Sequence, residues 1–134
     1  MDFQSLAGLP AFLLYFIAAG GLIVAYIFVY TWITPHDEFA LIRNNVPGAA
    51  VSLGMSTIGF ALPLTSAIGH ANDVVDMAIW GVIALIVQII AYYVARIPLP
   101  DLSQRIAAGE FGPAIWLGCA SVTAGLINAA SMST

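Results

Sequence analysis

The side chains with the clearest metal-binding chemistry lie in one short polar segment between two apolar runs. His70, Asp73 and Asp76 have the spacing His-x-x-Asp-x-x-Asp, and imidazole and carboxylate groups are common ligands of divalent metals. Asp73 or Asp76 serves equally well as the N-cap of the next helix, where a carboxylate accepts a backbone N–H. His36, which precedes two acidic residues, allows the same metal idea. The spacing matches no recognised metal motif, so we predict capping and no metal site.

Covalent catalysis finds no support in the sequence. A nucleophilic serine or cysteine needs a base and an orienting group beside it. Cys119 lies in an apolar run without an ionisable neighbour, and His36 and His70 lie near the predicted membrane surfaces. No haem, quinone or nucleotide motif is present. We therefore predict that the protein is not an enzyme and needs no cofactor.

A few neutral polar residues interrupt the apolar runs, where an unpaired polar group is costly. Gln88 and Asn128 are expected to form hydrogen bonds between helices, or alternatively to line a narrow conduction path. Pro63 removes a backbone N–H within a helix, so with Thr65 and Ser66 it offers a free carbonyl to a cavity. All five are candidate polar-lining or interhelical contact residues, and packing is the favoured interpretation.

The composition places the chain in a membrane. Of its 134 residues, 61% are hydrophobic and only 7% are charged, and the mean hydropathy is +0.98. A soluble domain has about a quarter of its residues charged, so this surface must be met by lipid. The net charge is −4 and lysine is absent, which excludes the clustered basic surface that nucleic-acid binding requires.

Four apolar runs are long enough to cross a bilayer as helices, which takes about 20 residues each. They cover residues 11–33, 48–69, 74–97 and 111–132, and none has a charge deep inside it. We predict an all-α fold, an integral membrane four-helix bundle that forms a single transmembrane domain over residues 1–134.

The three arginines orient the predicted bundle. Arg43 lies in the first connector, Arg105 in the third, and Arg96 beside the third. Because positive charge is retained on the cytoplasmic side, both long connectors are predicted to be cytoplasmic and both termini to face outward. Residues 37–43 and 101–106 each place an acidic residue before an arginine, as a helix dipole favours. They are predicted to form short interfacial helices.

The two halves of the chain resemble each other at an offset of 64 positions. Each half has a span, a proline, an acidic short helix, a glycine and a span rich in small residues. The matched pairs are Ile33/Ile97, Asp37/Asp101, Ile42/Ile106, Gly48/Gly112, Ala50/Ala114, Leu53/Leu117 and Gly54/Gly118. We predict two tandem two-helix repeats, at about residues 11–69 and 74–132, related by a pseudo-axis along the membrane normal.

Small residues recur at helical spacing in the second and fourth spans, and small residues let helix backbones approach closely in lipid. The predicted helix-packing face consists of Gly48, Ser52, Ser56, Gly59, Gly118, Ser121 and Gly125. The first and third spans are bulkier and are expected to face lipid. The second and fourth spans should therefore make the central contact.

A series of short motifs over nearly the whole chain resembles the YjfL-like bacterial inner-membrane proteins, the family of domain of unknown function 350. The motifs are Thr34-Pro35-His36, Glu38, Leu41-Ile42, Asn44-Asn45, Gly59, Pro63-Leu64, Ser66-Ala67, Asp76, Trp80-Gly81, Ile83-Ala84-Leu85, Gln88, Leu102-Ser103, Ile106, Gly125 and Asn128-Ala129-Ala130. The resemblance implies a multi-pass inner (plasma) membrane protein with two tandem copies of the domain and no established activity. It also implies relatives encoded beside envelope-stress proteins of the phage-shock and ATP-grasp types. Ser131 stands where the family often has cysteine, so no thiol role is carried over.

Two functions fit these features. The first is a non-catalytic structural or assembly subunit of an envelope complex, whose partners are the lipid bilayer and further copies or other membrane proteins. The second is a homo-oligomeric channel or facilitator for an ion or small neutral solute. A channel would need several copies, because four helices are too few to enclose a wide pore. The absence of charge inside the spans favours the first function.

Overall fold

The computed structural model describes the backbone of residues 3–132 and the side chains of residues 6–132. This part of the chain begins with a 3-10 helix at Phe3–Gly8 and continues with six α-helices. They are α1 (Leu9–Ile33), α2 (Glu38–Arg43), α3 (Pro47–His70), α4 (Val74–Ala95), α5 (Leu102–Ala107) and α6 (Phe111–Met132). The prediction of an all-α fold is confirmed.

The four long helices α1, α3, α4 and α6 are each long and apolar enough to cross a membrane, by length and composition. Their ends follow from local chemistry. Thr34 ends α1 because it precedes Pro35, which disfavours helical backbone in the residue before it. Asp73 is the N-cap of α4 and accepts the backbone N–H of Asp76 at 2.8 Å. The predicted capping role of Asp73 is confirmed.

The short helices α2 and α5 lie in the two long connectors, where the sequence predicts them. Each is followed by one residue with left-handed backbone, Asn45 at φ 62° and Gly109 at φ 92°. In both turns the next amide donates to the carbonyl five residues earlier, at 2.9 and 3.0 Å. This bond is the mark of a Schellman-type helix end. The two turns are equivalent and lie 64 positions apart in the sequence.

The central contact of the bundle joins α3 and α6, as predicted. A Cβ on Gly59 would meet the carbonyl of Ser121, and a Cβ on Gly125 would meet the carbonyl of Gly59. The helix backbones therefore touch directly at Gly59 and Gly125, which only glycine permits. Two turns earlier in α6, a Cβ on Gly118 would lie 2.6 Å from the Sδ of Met55.

Helices α1 and α4 pack against α3 from the side and contact each other. Most of α1 is exposed, including Phe16, Ile17 and Phe28, in agreement with the predicted lipid-facing role. The two connectors lie at the same end of the bundle, because Gly48 at the start of α3 sits close to the carbonyl of Glu110. This connector end holds a cluster of buried polar side chains around Glu38.

Candidate functional site

A row of polar side chains leads from α1 into the first connector at four-residue intervals. It consists of Tyr26, Tyr30, Thr34 and Glu38. Four-residue spacing places side chains on one face of a helix. Tyr26 and Tyr30 are the buried residues of α1 among those described, and Thr34 and Glu38 are buried as well. The row therefore faces the interior of the bundle.

The connector bends so that Glu38 points into the protein. Thr34 leaves α1 in extended backbone, with ψ at 133°. Asp37 is the N-cap of α2 and accepts the backbone N–H of Ala40 at 3.1 Å. Glu38 is then the first residue of α2, and its exposed fraction is 0%. A carboxyl group is almost never fully buried in a protein unless it is paired.

The Glu38 carboxyl has only partial hydrogen bonding. Its Oε1 makes a short hydrogen bond with the hydroxyl of Thr34. The Nε2 atom of His36 lies 3.3 Å from the same oxygen, but neither ring nitrogen completes a hydrogen bond of normal geometry. The other carboxyl oxygen, Oε2, is buried and has no hydrogen-bond partner within the described residues.

Burial moves the protonation of both groups toward the neutral form. Removal from water raises the pKa of Glu38 to about 7, although the hydrogen bond from Thr34 opposes this. Burial lowers the pKa of His36 below its usual range, and the charge of Asp37 acts in the opposite direction. The contact between Glu38 and His36 is therefore not a fully charged ion pair at neutral pH.

Three tyrosines, Tyr26, Tyr30 and Tyr92, lie within electrostatic range of Glu38. Tyr30 packs edge-on against Tyr92 of α4, with 5.8 Å between the ring centroids. The hydroxyl of Tyr92 bonds to the hydroxyl of Ser103 in α5 at 3.0 Å. The hydroxyls of Tyr26 and Tyr30 are buried without a hydrogen-bond partner in the described part of the chain. The cluster thus combines a buried carboxyl with two buried hydroxyls that still have bonding capacity.

The hydroxyl of Ser56 in α3 is within interaction range of both unpaired phenols. It donates instead to the carbonyl of Leu53 in its own helix, at 2.9 Å. Ser52 is buried one turn earlier and bonds in the same way to the carbonyl of Ala49, at 3.1 Å. At least Ser56 of the predicted packing face therefore also borders the polar cluster.

Gln88 lies deeper in the bundle, at the crossing of α3 and α6. Its Nε2 donates to the carbonyls of Gly59 and Ser121, both at 3.1 Å. The Gly59 carbonyl would ordinarily accept the amide of residue 63, but that residue is proline and has no N–H. Helix α3 continues through Pro63, and Gln88 supplies the missing donor. Gln88 therefore bonds between helices, and one of its two acceptors is the carbonyl that Pro63 leaves free.

The remaining candidate lining residues do not gather into one site. Ser66 donates to the carbonyl of Ala129 in α6 at 3.2 Å. Thr65 is exposed and bonds to carbonyls of its own helix. Asn128 is half-buried, and its amide nitrogen is enclosed. The seven residues of the predicted packing face, in contrast, are all buried.

In the polar turn at the opposite end of the bundle, the carboxylates of Asp73 and Asp76 accept backbone N–H groups at and just before the start of α4. The backbone amide of Asn72 donates to Asp76 at 3.1 Å, and a ring nitrogen of His70 lies 2.9 Å from the carbonyl of Ser66. Among the described residues, no three His, Cys, Asp or Glu side chains are grouped so that they could hold a metal ion.

The sequence interpretation of the first connector needs a correction. We expected residues 37–43 to form a short interfacial helix and assigned no inward-facing side chain to it. The helix forms as expected, but its first side chain turns inward and is fully buried. The signal for this was the spacing of Tyr26, Tyr30, Thr34 and Glu38, which continues one face of α1 across the proline.

The fold and its buried interior define the class of this protein, a multi-pass, all-helical membrane protein. Residues 4–132 match the family described as Domain of Unknown Function (DUF350), and the chain belongs to this family. It is 34% identical to the UPF0719 inner membrane protein YjfL of Escherichia coli (strain K12). The alignment spans 128 residues and covers 96% of this chain and 97% of that protein. YjfL of Escherichia coli O157:H7 matches to the same extent. No solved structure matches the chain significantly.

Proposed function

We propose that the protein is a non-catalytic structural or assembly subunit of an inner-membrane complex. The observation that carries this proposal is the direct backbone contact between α3 and α6. Between Gly59 and Gly125 there is no space for even one methyl group, so water cannot pass between the two central helices at that level. The bundle of one chain is therefore built for packing.

The alternative of a homo-oligomeric channel has weaker support. Gln88 was a candidate for its polar lining, but its side chain is fully buried and bonded within its own bundle. A path between copies would have to run along outer faces, and the outer faces of α1 and α4 are mainly large apolar side chains. Such faces suit lipid or another transmembrane helix better than water.

We propose further that the chain consists of two tandem repeats with both connectors in the cytoplasm. The equivalent turns at Asn45 and Gly109 support the repeat. All three arginines lie at or beside the connector end, which supports the orientation through the positive-inside rule. Labelling of single cysteines placed in each connector of a Cys119→Ser variant, in intact cells and then in opened ones, tests the orientation.

Flux measurement separates the two functions. Purified protein in liposomes should conduct neither ions nor small neutral solutes, and protein extracted at native expression level should migrate as an assembly larger than one chain. A selective flux that falls in Asn128→Leu, with unchanged flux in the exposed control Thr123→Val, would establish the channel instead. A monomer without flux would contradict both functions.

A further inference from the structure

We propose that Glu38 is a proton-binding site at the connector end of the bundle, and that loss of its proton loosens the attachment of α2. This inference goes beyond the assembly role and does not depend on it. It starts from a carboxyl group that is fully buried while one of its oxygens has no partner.

The hydroxyl of Thr34 provides the first argument, because its single proton faces three acceptors, of which the carbonyl of Thr31 is the most distant at 3.4 Å. It lies 3.1 Å from the carbonyl of Tyr30 and in short contact with Oε1 of Glu38. With an ionised carboxylate, only one of these contacts can be a hydrogen bond. With a protonated carboxyl, Glu38 donates to Thr34 and Thr34 donates to Tyr30. The neutral acid therefore satisfies the observed geometry more completely.

The second argument is the absence of a compensating cation. Tyr26 and Tyr30 face Glu38 from α1, and Tyr92 faces it from α4. From its own connector it meets His36, which burial holds neutral, and the negative Asp37.

The other elements add no nearby positive charge. Helix α3 contributes only hydroxyl groups to this end, and α5 contributes Ser103, which bonds to Tyr92. Arg96 lies over the Tyr92 ring, at 5.8 Å from its centroid, and Arg43, the last residue of α2, is exposed. Arg105 pairs with Glu110 at the surface. An ionised Glu38 would thus be a buried charge without a partner, which is strongly unfavourable.

A short path connects this site with the connector surface. A groove of about 380 Å³ has a lining that includes Trp32, Thr34, His36, Asp37 and Phe39. Thr34 and His36 are the two residues that contact the carboxyl of Glu38. Protons can therefore reach the site from the connector side without crossing the bundle.

Helix α2 is the element that can respond. It has six residues, and six residues are too few for a helix to be stable alone. Glu38 is its buried residue. Ionisation would favour hydration of this carboxylate, so α2 should move outward about the extended segment at Thr34 and the left-handed turn at Asn45.

Infrared spectroscopy of the full-length protein tests proton binding directly. The chain contains only two glutamates, Glu38 and Glu110, so ¹³C-labelled glutamate marks two carboxyl groups. The labelled protonated-carboxyl band should persist above the ordinary glutamate pKa of about 4.3 and disappear near neutral pH. It should remain in Glu110→Gln, whose side chain is exposed and paired with Arg105, and be absent in Glu38→Gln.

Two infrared outcomes would overturn the proposal. One is a labelled band that titrates only near the ordinary value; the other is a band that survives in Glu38→Gln. The measurement on Glu110→Gln decides the matter even if Glu38→Gln does not fold, because Glu38 is then the sole glutamate.

Spin labels test the coupling to α2. Labels at Phe39→Cys and Gln104→Cys, both exposed positions, report the distance between α2 and α5 in a Cys119→Ser background. Between about pH 5 and about pH 9, the distance distribution should broaden and lengthen, and in Glu38→Gln it should stay constant. An equal shift in Glu38→Gln, or no shift in the parent, would refute the coupling.

Discussion

Replacement of Gly125 by alanine tests the central packing of the bundle. The new methyl carbon would fall on the carbonyl of Gly59 in the facing helix. Because the atoms in contact are backbone, no side-chain rotation can relieve the overlap, and α3 and α6 must separate. The same separation would lengthen the two hydrogen bonds that Gln88 makes at the crossing.

The expected loss follows from three contributions. Overpacking a well-packed contact costs about 1–3 kcal/mol, and here the upper half applies because backbone meets backbone. Two weakened interhelical hydrogen bonds add about 0.6 kcal/mol each. The higher helix propensity of alanine returns up to about 1 kcal/mol. The net destabilisation of Gly125→Ala should therefore be about 2–4 kcal/mol.

The matched control is Gly54→Ala in α3, where a Cβ would have no neighbour within 4 Å. It should be neutral or slightly stabilising, because only the propensity gain remains. Unfolding in mixed micelles with increasing denaturing detergent, followed by circular dichroism, gives both free energies. If Gly125→Ala is as stable as Gly54→Ala, the α3–α6 contact described here is wrong.

Three further predictions use the same unfolding assay. Gln88→Leu should lower the free energy of unfolding by about 1–2 kcal/mol. The loss should be smaller in a Pro63→Ala background, because the backbone N–H of the new alanine can then donate to the carbonyl of Gly59. Additive losses in the double variant would contradict this. Asp73→Ala should lose about 0.5–2 kcal/mol through its cap, so an unchanged stability would contradict the capping role. Burial disfavours the ionised form of Glu38 and raises its pKa from 4.5 to about 7, so the fold should be about 3 kcal/mol more stable at low pH than above about pH 7. This difference should be lost as pH rises from about 4.5 through about 7. Glu38→Gln should remove the difference, and parallel pH profiles of parent and variant would argue against it.

Much of the fold was predictable because each long helix must cover the same hydrocarbon thickness. Apolar length alone gave the spans to within a turn, and the acidic residue before α4 gave its start. The small residues of the second and fourth spans gave the central contact, since close backbone approach is the main packing device in lipid. These features depend on local sequence and on a uniform solvent.

The site was harder to predict because it depends on how one connector bends. Asp37 and Glu38 are equivalent in a sequence pattern, yet one caps α2 at the surface and the other is buried beneath it. Their difference is decided by the extended backbone at Thr34, which rotates α2 relative to α1. The role of Pro63 was visible only in part, because its effect on the Gly59 carbonyl requires a partner from another helix.

The buried polar cluster also answers a question that the apolar composition raises, namely what holds α1 to the bundle. Most of α1 faces outward, and lipid tails solvate its side chains as well as protein does. The exceptions are Tyr26 and Tyr30, which pack on Phe60 and Tyr92; the rings of Tyr26 and Phe60 stack with centroids 4.6 Å apart. Partly buried residues such as Leu22 and Ile23 also pack against the core, but the buried side chains of α1 are the two tyrosines near Glu38. A change in the protonation of Glu38 therefore acts where α1 is most deeply buried.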